Sequence, residues 1–207
     1  MTDRERDAVR VARCHRTHDV GTRQRKRFFA EDVFLCIGRA DDLVCVVGEA
    51  NAWPYHCQER EAGHPDELVH WVARRLSTGE TLEGVLAPRN PLGPRTAEHL
   101  ELPAEALRGG EAVAAFLPRW RAFLRDTDVL CSWGQYGTGL FSALGGPLPV
   151  TQVDVRQLAR DASGGKVGTQ EAFLAGLGAA ESPRFGAGRA GLRLGELTEI
   201  TRRLIAW

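Results

Sequence analysis

The stretch Glu67-Leu68-Val69-His70-Trp71-Val72-Ala73-Arg74-Arg75-Leu76, continued by Ser77-Thr78-Gly79-Glu80 and Thr81-Leu82-Glu83-Gly84-Val85-Leu86, decides the fold class. Its centre, Ser77 to Glu80, supplies turn chemistry between a mixed apolar and polar run and a second short strand, so the whole predicts a β-hairpin. Upstream, Val33-Phe34-Leu35-Cys36-Ile37 and Leu43-Val44-Cys45-Val46-Val47 are β-branched and aromatic runs separated by Gly38-Arg39-Ala40-Asp41-Asp42, and predict a strand pair. Downstream the period changes. Helices are expected near Thr96 to Leu100 and from Glu111 to Leu124, where Val113, Phe116, Leu117, Trp120 and Phe123 fall at helical spacing around a potentially kinking Pro118.

A short strand follows at Asp128 to Cys131, then a helix over Tyr136 to Leu144. Gln152 to Val155 leads into a helix through Ala159, and Glu171 to Leu177 and Leu192 to Ile205 complete the set. Strands first, then strands alternating with helices, predict an α/β fold with a mixed sheet of five or more strands flanked by helices. The division expected is a basic arm over 1–27 and one domain over 28–207.

Composition narrows the class. With 207 residues, 43% of them hydrophobic, the chain is long enough for one domain with a sizeable core. Its 23 glycines and 10 prolines are dispersed, and no internal repeat is visible. No apolar run approaches the roughly 20 residues of a membrane span, and the charged N-terminus lacks an apolar leader segment, so no membrane association and a cytoplasmic location are expected. The five cysteines, an odd number without C-x-x-C spacing, fit a reducing compartment. Formal net charge is zero, but Arg4, Arg6, Arg10, Arg13, Arg16, Arg23, Arg25, Lys26 and Arg27 face only Glu5, Asp7 and Asp19 in the same stretch. The Arg23-x-Arg25-Lys26-Arg27 cluster is therefore a candidate to track a phosphate backbone, against its alternative as a solvated tail.

From Glu67 onward, the order of elements and their residues resemble the DEDDh 3′–5′ exonuclease family, which includes polymerase proofreading subunits and oligoribonucleases and has a ribonuclease-H-like fold. The hairpin with Thr78-Gly79-Glu80 and the closing Ala87-Pro88 is similar to the family's first hairpin. Thr96-Ala97-Glu98-His99-Leu100-Glu101-Leu102 resembles the segment that approaches the 3′ nucleotide. Val129 to Gly137 stands where the family has a strand followed by His-Asn-Ala-x-Phe-Asp. Val153-Asp154-Val155 through Arg160 resembles its Val-Asp-Thr strand and helix, Gly168-Thr169-Gln170-Glu171 to Gly178 its next helix, and Gly188-Arg189-Ala190 its closing His-x-Ala turn.

The resemblance implies four acidic side chains that hold two divalent cations, and a histidine general base. Here the first pair, Asp-x-Glu, falls on Gly48-Glu49-Ala50 if the first strand ends at Val47, or on Gly38-Arg39-Ala40 if it ends at Ile37. The third carboxylate falls on Gly137, the histidine on Gly188 and the last carboxylate on Arg193. The expectation is a catalytically inactive exonuclease-like domain that binds single-stranded nucleic acid or a nucleotide, with Arg23, Arg25, Lys26, Arg27, Trp133, Tyr136, Arg189 and Arg193 as candidate contacts. A protein partner on the same fold is the first alternative. The second is an active enzyme with carboxylates relocated among Glu49, Asp41, Asp42 and Asp154, the one case in which Mg²⁺ or Mn²⁺ is expected as cofactor.

Other clusters are less specific. Cys14-His15-x-x-His18 and His56-Cys57 with His64 have zinc-compatible residue types but read equally as exposed polar residues. Cys131-Ser132 lacks a nucleophile context and predicts a buried structural cysteine. Gly145-Gly146 and Gly164-Gly165 lack the phosphate-loop signature and predict turns.

Overall fold

The computed structural model describes residues 33, 35–53, 64–179 and 182–206. The arm over 1–27, with Arg23, Arg25, Lys26 and Arg27, lies outside the described residues, as do Cys14, His15, His18, His56 and Cys57.

Strand β1 (Leu43–Asn51) is the middle of a five-stranded sheet. On one side it pairs antiparallel with β2 (Glu67–Arg75), which pairs antiparallel with β3 (Thr81–Val85); Gly79 closes that hairpin with φ +75°, a backbone state that favours glycine. After helices α1 (Thr96–Leu100), α2 (Ala104–Arg108) and α3 (Val113–Phe123), strand β4 (Val129–Ser132) pairs parallel on the other side of β1. Helix α4 (Tyr136–Ala143) then connects to β5 (Thr151–Asp154), parallel to β4, and α5 (Val155–Ser163), α6 (Gln170–Gly176) and α7 (Gly188–Ala206) follow. The sheet order is β3-β2-β1-β4-β5, a mixed sheet with helices on both faces, as the element pattern predicts.

Alternation along the strands divides the core in two. Cys45, Val47, Val72, Cys131 and Val153 face α5 and α7, where Leu158, Leu194, Leu197, Ile200 and Leu204 cover them. Val44, Val46, Trp71, Ala73 and Leu130 face the other way, against Phe116, Trp120 and Phe123 of α3 and Phe141 of α4. There Trp71 stacks on Phe141 at 4.2 Å and meets Trp120 edge-on at 5.5 Å, pairs worth about 0.5–1.5 kcal/mol each beyond their burial. Pro118 lies inside α3 on its exposed side, so the carbonyl it leaves unbonded is accessible to water. The wholly buried Arg75 at the end of β2 bonds to Asp128 through both terminal nitrogens and to the Phe123 carbonyl at 2.9 Å, tying the hairpin to the turn before β4.

One expected strand is a helix. Residues 35–38 are helical, and among the described residues from Val33 to Ile37 the buried ones are Val33 and Cys36, three apart, which is helical spacing. Both edges of β1 are already paired, by β2 and β4, so the run has no place beside it. Helix α2 was not signalled by any periodicity, since Leu107 is the one residue it buries. Cys131 is fully buried, as expected of a structural cysteine, Gly145 sits in a turn, and Gly164 caps α5 in the left-handed conformation.

Candidate functional site

The parallel strands β1, β4 and β5 end on the same side of the sheet, where open α/β sheets bind ligands. At that end β1 carries Glu49, Ala50 and Asn51, with an irregularity in register between Glu49 and Ala50. A cleft of about 710 Å³ opens there, floored by Ala50, Ala52 and Trp53. Thr96 and His99 of α1 and Arg189 of α7 form one wall, and Tyr136 of α4 stands on the opposite rim.

The α1 wall is fixed by two buried polar side chains. Asn51 donates to Glu67 Oε1 and to the Pro91 carbonyl, both at 3.0 Å, and its own oxygen accepts from Gly93 N at 2.8 Å and Thr96 Oγ1 at 3.0 Å. Glu67 accepts from Arg89 N at 2.9 Å and Asn90 N at 3.0 Å. These bonds strap the loop from Pro88 to Pro94 across the sheet and set the start of α1.

Charge concentrates around Glu49, which is buried. Arg193 Nη1 donates to Glu49 Oε1 at 2.9 Å, and Arg189 Nε stands 4.0 Å from the same oxygen. Arg189 Nη1 also contacts the His99 ring, 2.8 Å from Nδ1. Burial, then the neighbouring Arg189 charge, holds His99 below the usual histidine range, which favours the neutral ring, the form that can accept from the guanidinium. On the next turn of α7, burial and the Glu171 charge push Glu196 above the usual carboxylate range, against the pull of Arg193 and Arg189.

The candidate contacts separate. Arg189 and Tyr136 line the cleft, and Tyr136 donates to Asp66 Oδ2 at 2.7 Å across its mouth. Arg193 is engaged behind it, on Glu49. Trp133 packs beside the core against Phe173, with ring centroids 5.9 Å apart, and is not among the cleft residues. His99 and Glu49 were not singled out as contacts. His99 lies in the Thr96 to Leu102 segment already linked to nucleotide approach, but its partner Arg189 is 90 residues away.

Compared with solved structures, the chain superposes on the nuclease domain of 3′hExo, a DEDDh family member bound to rAMP, with a TM-score of 0.60 and 12% identity over 79% of this chain and 90% of that one. Cell-death related nuclease 4 (CRN-4) gives 0.60 and 10%, covering 80% of this chain but 64% of its own. Exonuclease X in complex with 5′ overhanging duplex DNA gives 0.55 and 12%, covering 78% and 90%. The fold is that of the DEDDh exonuclease domains. No protein-family profile matches the chain, and no curated protein matches it in sequence.

On this DEDDh fold the positions assigned to the metal ligands come together, but not as ligands. Because residues 35–38 are helical and β1 is the first strand, Gly38-Arg39-Ala40 is ruled out as the first pair and Gly48-Glu49-Ala50 remains. Gly48 and Gly137 are packed main chain to main chain: a Cβ on Gly137 would lie 2.9 Å from the Gly48 oxygen and 3.0 Å from its Cα. At Gly188, φ is +53° and a Cβ would lie 2.4 Å from the Leu100 oxygen. Arg193 occupies the last position with its guanidinium on Glu49.

The residues present therefore do not fit a pair of divalent cations. Among the described residues no group of three or more His, Cys, Asp or Glu side chains is placed to hold a metal ion. The other acids considered for a relocated site do not converge on Glu49. Asp41 and Asp42 precede β1 and lie about 20 Å or more from it along the strand, and Asp154 caps α5 by accepting from Arg156 N at 2.9 Å and Gly134 N at 3.0 Å. Among the described residues, no helix is long and apolar enough to cross a membrane.

Proposed function

We propose that this chain is a non-catalytic exonuclease-like domain that binds single-stranded nucleic acid or a nucleotide in the cleft beside β1. The observation that supports it is the contact of Gly48 with Gly137 next to the Arg193–Glu49 pair: the space for ligand carboxylates is filled by main chain and a fixed cation, while the cleft alongside stays open. Two-metal phosphodiester hydrolysis needs acidic ligands around both ions. Cleft binding needs only donors, cations and a ring for a base, and Arg189, His99 and Tyr136 offer these. Neighbours with this fold are recorded with rAMP and with duplex DNA, which agrees with a nucleotide or nucleic-acid ligand.

The test is incubation of the purified protein with end-labelled single-stranded DNA and RNA in Mg²⁺ and then Mn²⁺, with an EDTA control, alongside equilibrium binding of the same oligonucleotides. The expected result is binding with the labelled strands left intact. A metal-dependent 3′–5′ ladder refutes the non-catalytic reading, and absence of binding refutes the cleft as a nucleic-acid site. If the basic arm also contributes, Arg25→Glu with Arg27→Glu lowers the salt dependence of binding, and an unchanged slope removes the arm from the interface.

A further inference from the structure

We propose that Cys36 and Cys131 form a redox latch, a reversible disulfide made by exchange with a small-molecule disulfide such as oxidised glutathione, which staples the helical turn at residues 35–38 to strand β4. The first argument is placement. Cys36, Cys45 and Cys131 are free thiols, all wholly buried in the same half of the core, although they come from the first helical turn, from β1 and from β4. The Cys131 sulfur is the middle one, with side-chain contacts to both Cys36 and Cys45.

The second argument selects the pair. Cys45 and Cys131 are register partners on adjacent parallel strands, so their Cβ atoms rise side by side from one face at about 4.8 Å, whereas a disulfide needs about 3.8 Å. Cys45 also bonds Thr201 Oγ1 of α7 at 3.6 Å. Cys36 instead meets Cys131 from an element laid over the sheet, so the two side chains point toward each other. The third argument is access. Among the described residues of that turn Val33 and Cys36 are buried, while Leu35 and Ile37 are only partly so. The residues that follow are held by exposed bonds, Ser77 Oγ to the Asp41 carbonyl at 2.7 Å and Thr127 Oγ1 to Asp42 at 2.8 Å. An element with so little buried apolar surface opens locally at low cost, whereas β1 and β4 lie inside the sheet. With the turn closed, hydrogen bonds to Cys36 and Cys45, then burial, push the Cys131 thiol well above its ordinary range, which keeps it protonated and unreactive.

The chemistry balances in two exchanges. In the opened turn the Cys36 thiolate attacks one sulfur of glutathione disulfide, breaks its S–S bond and releases one glutathione, which takes up the proton Cys36 lost. When the turn recloses, the Cys131 sulfur displaces the second glutathione from Cys36, and its proton leaves with that glutathione. Two cysteine thiols are oxidised by two electrons, and one glutathione disulfide is reduced to two thiols.

The experiment equilibrates the folded full chain in glutathione buffers of stepped reduced-to-oxidised ratio, blocks the remaining thiols in acid, and maps the unreduced peptides by mass spectrometry. A peptide linking Cys36 to Cys131 is expected to appear as the buffer becomes oxidising and to vanish on adding dithiothreitol, with Cys45 blocked as a free thiol throughout. The mapping separates this link from any pairing of Cys14 or Cys57. Because the link closes a loop of roughly 100 residues, it is expected to raise the urea midpoint by on the order of 1 M. Cys36→Ala is expected to lose both the linked peptide and the rise, and the wild-type mapping stands without any variant. A link that forms only in urea, a link of Cys131 to Cys45 in its place, no link at any ratio, or a midpoint rise that survives in Cys36→Ala overturns the proposal.

Discussion

Helix α4 contains a built-in comparison, because Gly137 and Gly139 lie two residues apart in one helix and meet opposite surroundings. A Cβ at Gly139 meets nothing within 4 Å, whereas one at Gly137 meets the Gly48 main chain at 2.9 Å, 3.0 Å and 3.1 Å. Alanine in place of glycine within a helix is favourable by about 1 kcal/mol at an open site. Gly139→Ala is thus expected to stabilise the protein by about 0.5–1 kcal/mol. At Gly137 the same gain is opposed by an overpacking cost of about 1–3 kcal/mol, because the obstacle is the backbone of a central strand and not a side chain that can swing away. The two variants should then differ by about 1–3 kcal/mol. With a urea m-value of about 1–3 kcal/mol per molar, that is a separation on the order of 1 M in midpoint, with Gly137→Ala unfolding first. Equal midpoints for the two variants refute the close approach of α4 to β1, and with it the argument that no carboxylate can be accommodated at Gly137.

Removing the Asp128 carboxylate leaves the buried Arg75 with the half-exposed Glu80, 3.6 Å from its Nε, as its remaining carboxylate, so Asp128→Ala is expected to cost about 3 kcal/mol in urea unfolding, and a loss below about 1 kcal/mol contradicts the pairing. Asp154→Ala is expected to lose about 0.5–2 kcal/mol through its cap on α5 while Asp154→Asn loses little, and a change in oligonucleotide binding for either would contradict a purely capping role. Glu196 has a raised pKa, so its contribution to stability is complete below the ordinary carboxylate range and falls as pH rises through the raised value. Glu196→Gln should therefore gain stability over wild type at neutral pH, with the gain shrinking toward about pH 4; a variant less stable than wild type at neutral pH contradicts the sign.

The hairpin, β4 with α4 and β5 with α5 were legible because each joins a local turn or cap to a run of the right period. Asp154 begins α5 with an acceptor for its first amides, and Thr169 does the same for α6, signals contained within a few residues. The misread run at Val33 to Ile37 shows the limit: five apolar residues carry no decisive period, and the deciding fact, that β1 has no free edge, is non-local. The site divides along the same line. The residue types at Gly137, Gly188 and Arg193 were visible in the chain, but the main-chain contact between Gly48 and Gly137 depends on how α4 seats on β1. Trp133 and Tyr136 illustrate it within four residues: one packs on Phe173 beside the core, the other stands on the cleft rim, and their identities alone do not distinguish them.

Asn51 and Glu67 hold the loop from Pro88 to Pro94 chiefly through its amides and a carbonyl; the exposed Arg89 side chain adds only a contact of 3.7 Å to Glu67 Oε2, of the kind worth little at a surface. The cleft wall formed by Thr96 and His99 is thereby indifferent to most of the loop's letters: Arg89 and Asn90 can be exchanged for other residues that keep their amides without shifting the helix behind them. Gly93 is the exception, since a Cβ there would press on the Ala52 carbonyl at 2.8 Å. Sequence drift in this segment can therefore change the colour of the cleft's outer margin, its charge and bulk, while the pocket behind keeps its shape.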